Sequence, residues 1–188
     1  MSALDRKLNL VIPVATDKGE ALVRSAPISA AFFKQHFLAI SKTFSLLHSE
    51  GLGVTAAPRV AAMMLERVER DLAGVADDQA IPSAIMDEVR RLTMVTMPGG
   101  EQVPWAQVVS GKLLTDDDVA EVENAIVFFI VASSMYHRRD VEEMVGGAAK
   151  LWNARLESSG TTASPTSSQT SKETASSGAT VKPSAIPR

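Results

Sequence analysis

Residues 115–139 read TDDDVAEVENAIVFFIVASSMYHRR. Thr115 offers a side-chain oxygen as an N-cap, and Asp116, Asp117 and Asp118 fill the first turn after it. His137, Arg138 and Arg139 close the segment. Acids at the positive end and bases at the negative end each favour a helix macrodipole by about 0.3–1 kcal/mol. Between them Ala125, Ile126, Val127, Phe128, Phe129, Ile130, Val131 and Ala132 leave no polar face. A helix apolar all round is either central to its domain or shared with another chain, which brings in a homo-oligomer. The other elements must pack around it.

Upstream, Ser29 is an N-cap and Gly51 a C′ stop. Phe33, Phe37, Ile40, Phe44 and Leu47 recur between them at spacings of four, three, four and three, which predicts one continuous helix with one apolar stripe. A second helix runs from Thr55 to Leu72, with Ala61, Leu65, Val68 and Leu72 on one side. Arg59, Glu66, Arg67, Glu69, Arg70 and Asp71 give it a solvated, salt-bridged face. Ser83 to Leu92 is a third helical stretch, and Asp140 to Leu156 a last one. Gly146 and Gly147 inside that last helix cost about 1 kcal/mol each relative to Ala, marking a bend or a close helix contact.

Extended structure is expected in two places. Leu8 to Val14 is an apolar strand, residues 16–20 have turn chemistry, and Ala21 to Arg24 return as the second arm of a hairpin. Pro13 lacks an N–H, so the first strand sits at an edge or ends there. Thr93 to Met97 and Gln102 to Trp105 flank Pro98, Gly99 and Gly100 as a second hairpin or a structured loop, with Pro104 interrupting the second run. The sum is a mainly α fold: a compact domain of five to six helices with a small N-terminal β-hairpin and a disordered C-terminal tail.

The tail comes from composition. Ser158 to Arg188 contains 15 Ser or Thr and three Pro among 31 residues, and Val181 and Ile186 are its large aliphatics. It cannot bury enough apolar surface to offset backbone ordering of roughly 1–2 kcal/mol per residue. Its Lys172, Lys182 and Arg188 against Glu173 sum to +2, so residues 1–157 carry −5 of the formal −3. Those residues are long enough for one sizeable core.

The 188 residues hold no cysteine, which removes disulfides, zinc ribbons, iron–sulfur clusters and cysteine nucleophiles, and weakly favours an intracellular origin. The first 18 residues do not read as a signal peptide, and no apolar run nears the roughly 20 residues of a membrane span. The acidic balance argues against nucleic acid as a partner. No HExxH, Walker loop, GxSxG or GxGxxG occurs. His36 and His48 stand twelve apart on one expected helix, about 18 Å, too far to share a metal. His137 beside two arginines serves as a helix C-terminal base, and residues 116–118 lack the alternate spacing and glycine of a calcium loop. No catalytic residue, metal or cofactor is therefore assigned.

What remains is apolar surface. Phe33, Phe37, Ile40, Phe44 and Leu47 either pack the domain's own core or form a docking groove for another apolar helix. Met63 and Met64, with Met94, Met97, Met135 and Met144, add adaptable side chains suited to varied partners, although methionine also fills cores. The candidate partner-binding residues are thus Phe33, Phe37, Ile40, Phe44, Leu47, Met63 and Met64.

A strand pair running into PISAAFFKQHFLAISKTFSLL (residues 27–47), then GLGVTAAPRVAAMMLE (residues 51–66), then GGEQVPWAQVVSGKLLTDDDVAEVENAIVFFIVASSM and a short C-terminal helix form the overall pattern. This pattern, covering most of residues 8–155, resembles the tail assembly chaperones of long-tailed bacteriophages. The resemblance implies a non-enzymatic protein of the infected bacterial cytoplasm, not expected in the mature virion. Such chaperones coat the long helical tape measure protein, keep it soluble and help recruit tail tube protein subunits. It also implies a longer frameshifted form, for which the segment from Ser158 lies where a linker would. The alternative reading is a structural virion component, a tail or head–tail connector subunit that stays in the particle.

Overall fold

The computed structural model describes residues 8–49, 53–76, 79–150 and 153–158. Strands β1 (Leu8–Thr16) and β2 (Gly19–Ser25) form the first hairpin. Helices α1 (Ala30–Gln35), α2 (Phe37–Ser49), α3 (Gly53–Ala73) and α4 (Ala84–Arg91) follow. The chain continues through β3 (Thr93–Thr96), β4 (Gln102–Pro104), α5 (Trp105–Ser110), α6 (Asp116–Met135), α7 (Arg138–Ala149) and β5 (Arg155–Ser158).

The expectation of a mainly α fold with a small hairpin is overturned. All five strands join in one antiparallel sheet of order β4-β3-β2-β1-β5, and the fold is mixed α/β. Both expected hairpins exist, but they are not separate: Val23 of β2 lies opposite Val95 of β3. The chain's end returns as well, with Leu10 opposite Leu156. Strand alternation puts Leu10, Ile12, Val14, Ala21, Val23, Val95 and Val103 on the face that joins the buried core. On the other face Val11, only 1% exposed, is flanked in register by Arg24 and Arg155. Both arginines pair with Glu157, at 2.6 Å and 2.8 Å, which ties β2 to β5 across β1 on that face.

α6 is the central helix, packing most closely on α3 and also contacting α2, α7 and β1. Every residue from Ala125 to Ala132 is buried within the single chain. The apolar girdle thus serves the chain's own core. Thr115 caps α6 as expected, its Oγ1 accepting from Asp118 N–H at 3.1 Å. The helix ends at Met135, however, and Arg138 and Arg139 begin α7. Small residues let α3 approach: Ala57 and Ala61 are buried, and Asn124 of α6 accepts a hydrogen bond from the Ala62 N–H at 2.9 Å. That bond crosses to α3 just one turn beyond Pro58, which lies inside the helix.

Three further expectations are corrected. The continuous helix from Ser29 breaks at His36, which caps α1, and α2 starts at Phe37. Trp105 was expected in the second hairpin arm and instead opens α5, fully buried. The last helix ends well short of Leu156. Asn153 adopts a left-handed conformation (φ 51°), its N–H donating to the Lys150 carbonyl while the Ala154 N–H reaches the Ala149 carbonyl. This Schellman closure satisfies the final carbonyls and turns the chain into β5. Gly146 and Gly147 mark no close helix contact: a methyl at either position would meet nothing within 4 Å. Gly51 and Trp152 lie outside the described residues, as does the expected tail from 159 onward; Ser158 ends β5.

Candidate interaction surface and polar cleft

The break at His36 decides what the expected stripe exposes. Ser29 accepts from Phe32 N–H and starts α1, but six residues give only about a turn and a half before His36 leaves helical geometry. The stripe therefore does not continue on one face. Ile40 and Leu47 point into the core and are fully buried. Phe33 and Phe44 are half-buried against it. Phe37 is 51% exposed, meeting Phe33 edge-on at 5.6 Å, and its neighbour Leu38 is 55% exposed. On α3, Met63 is 63% exposed while Met64 packs on the core. Phe37, Leu38 and Met63 are thus the most exposed large apolar groups among the described residues, with Leu113, Leu72 and Met94 exposed to a lesser degree elsewhere. Leu38 was missed because it lies beside the stripe and not on it.

Phe44 has a different neighbourhood. Its ring stacks on His48 at 4.0 Å and meets Tyr136 at 5.1 Å. His48 Nδ1 donates to the Phe44 carbonyl at 2.8 Å, leaving Nε2 to accept from the Tyr136 hydroxyl at 3.3 Å. The cluster ties the end of α2 to the end of α6. His36 stacks on Phe32 at 4.3 Å, and His137 precedes α7 without a side-chain capping bond. The three histidines therefore serve separate local roles.

A second feature is polar. Helices α3, α4 and α6 enclose a cleft of about 540 Å³ lined by Met63, Glu66, Glu69, Met86, Asp87 and Glu123. Ser83 caps α4 by accepting from Met86 N–H at 3.0 Å, which fixes the α4 wall. Glu123 is the hub of the floor. Its Oε1 takes the Arg90 Nε–H at 3.0 Å and the Trp105 indole N–H at 3.1 Å, and its Oε2 takes Arg90 Nη2 at 3.4 Å. The pairing raises the Arg90 guanidinium above its ordinary value, chiefly through that hydrogen bond. Glu66 is paired with Arg70 at 3.3 Å. Glu69 is less well served: its Oε2 is buried with no hydrogen-bond partner. Burial pushes its carboxyl above the usual range, the charges of Glu66 and Asp87 add to this, and a hydrogen bond from Ser83 opposes it.

The chemistry of this arrangement is limited. Glu123 is fully engaged holding Arg90 and Trp105, so it is a brace between helices. Among the described residues no group of three or more His, Asp or Glu side chains is placed to hold a metal ion. No helix of the described residues is long and apolar enough to cross a membrane. Compared with protein-family models, curated proteins and solved structures, the chain matches none.

Proposed function

We propose that this chain is a non-enzymatic tail assembly chaperone of a long-tailed bacteriophage, acting in the cytoplasm of the infected bacterium. It would hold the apolar helical tape measure protein in soluble form and help recruit tail tube protein. The observation that carries the reading is the exposed pair Phe37 and Leu38 at the α1–α2 junction. Large apolar side chains set side by side in solvent fit an apolar helix better than a small-molecule substrate. Met63 offers a third adaptable contact on α3. The overall sequence pattern, from the strand pair to the apolar helix α6, supports the same reading.

Two substitutions test it. Phe37→Asp removes an exposed ring and is expected to leave the melting temperature within about 2 °C, because surface changes stay near ±0.5 kcal/mol. Phe44→Asp buries a charge beside Tyr136 and is expected to cost about 3 kcal/mol. With the tape measure protein co-expressed, the wild type and no Phe37→Asp variant should retain it in a soluble pull-down. A Phe37→Asp chain that melts normally and still binds would overturn the surface assignment. A tape measure protein equally insoluble with and without the wild-type chain would overturn the chaperone role itself. Mass spectrometry of purified virions separates the structural-component reading, since a chaperone should be scarce in the particle.

A further inference from the structure

The hydrogen-bond parity of β1 leaves part of one edge open. Thr16 lies opposite Gly19 across the two-residue turn at Asp17 and Lys18. Residues that face each other across so short a turn must exchange both hydrogen bonds. Counting back in steps of two, Val14, Ile12 and Leu10 also bond to β2, opposite Ala21, Val23 and Ser25. The backbone groups of Asn9, Val11, Pro13 and Ala15 therefore point the other way. β5 takes the first two, placing Glu157 opposite Asn9 and Arg155 opposite Val11.

The next position in that ladder would pair Pro13 with Asn153. Pro13 has no N–H to give, and Asn153 turns away with φ at 51°. Strand pairing stops there. The Pro13 carbonyl and both backbone groups of Ala15 then face a groove of about 210 Å³ rather than a strand. Its opposite wall is the start of α6, which contributes Asp118, Glu121, Val122 and Ala125.

We propose that this groove binds an extended peptide carrying a basic side chain, which adds a short strand to β1 in line with β5. The main-chain bonds would go to the Pro13 carbonyl and to the Ala15 N–H and carbonyl. The carboxylates of Asp118 and Glu121 supply the charge complementarity for the basic side chain. The site is distinct from the Phe37 surface and does not rest on the chaperone reading.

The test uses the full chain and a capped peptide, acetyl-Thr-Val-Lys-Val-Thr-amide, followed by amide NMR. Saturable shifts are expected at Ala15, Asn153 and the first turns of α6, with a Kd of about 1 mM for so few bonds. The same peptide with Glu in place of Lys should bind at least about threefold more weakly at low salt. A version N-methylated at the central amide should lose about tenfold, one hydrogen bond's worth. Ala15→Pro deletes the outward N–H alone and should lose a similar factor while the chain still melts cooperatively. Glu121→Gln, on the exposed wall, gives a second variant should Ala15→Pro fail to fold, and should weaken the preference for Lys over Glu, with an unchanged preference counting against the proposal. Absence of saturable shifts, or equal binding of the N-methylated peptide, overturns the proposal. So does an Ala15 amide already protected from exchange before peptide is added, which would mean the chain's own residues fill the edge.

Discussion

Glu69 and Glu66 sit one turn apart on α3, yet only one of them is well compensated. Glu66 has Arg70, whereas Glu69 has a buried oxygen without a partner and the charges of Glu66 and Asp87 beside it. Because burial raises its carboxyl in the folded state, the folded chain holds that proton more tightly than the unfolded chain. Stability from this group is therefore fully present below the ordinary carboxylate value of 4.5 and is lost as the pH rises through the folded value. Glu69→Gln should raise the melting temperature at about pH 7–8, with a gain of about 1 kcal/mol from removing a half-buried charge beside two other carboxylates. Near pH 3–4 the gain should vanish. An equal gain at both ends of the titration would show that charge is not the cause. None of this was legible in the sequence, where Glu69 reads as one more member of a solvated face. Its partners Ser83 and Asp87 come from another helix, and local spacing does not report such neighbours.

Elements were legible in proportion to how local their causes are. α6 follows from a cap, an acidic first turn and a run of apolar residues, all contiguous, and only its C-terminus was displaced. α4 begins one residue after the expected cap at Ser83. β5 was missed because residues 155–158 look like the end of a helix, and the signal against that is a single Asn153. Asn tolerates the left-handed conformation better than most residues, so it can end a helix where Gly is absent. The glycine pair in α7 shows the opposite case, a local cost with no tertiary cause. Gly147 is exposed, helical, and surrounded by open space where a methyl would go. Gly147→Ala should therefore stabilise the chain by about 1 kcal/mol, read as a rise of about 2–4 °C in a thermal melt. A fall in melting temperature would mean that α7 needs a conformation that alanine resists.

At the scale of the whole molecule, the sheet joins parts of the chain that are far apart in sequence. β2 meets β3 across the helices α1 to α4, and β1 meets β5 across nearly the entire described chain. Apolar runs beside turn residues announced the first four strands, but which strands would pair depends on how the helices pack, and that is why the sheet was legible only as separate hairpins. Closing β1 against β5 also brings Arg24, Arg155 and Glu157 together over Val11. The hydrogen bond from Arg155, helped by the charge of Arg24, holds the Glu157 carboxyl below its usual range. The sign is opposite to that of Glu69: this stability is present above the ordinary value of 4.5 and is lost as pH falls through the folded value. Glu157→Gln should thus cost about 0.5–1 kcal/mol at neutral pH, the range of a partly exposed ion pair, and nothing in acid. Added salt should shrink the difference, because both arginines are more than half exposed. Amide exchange locates the effect: in the variant the Asn9 and Val11 amides, which bond β5, should exchange faster at neutral pH, while Val23 in the middle of the sheet should not. Uniform loss of protection would place Glu157 in the global core instead of at the seam where the chain closes on its own first strand.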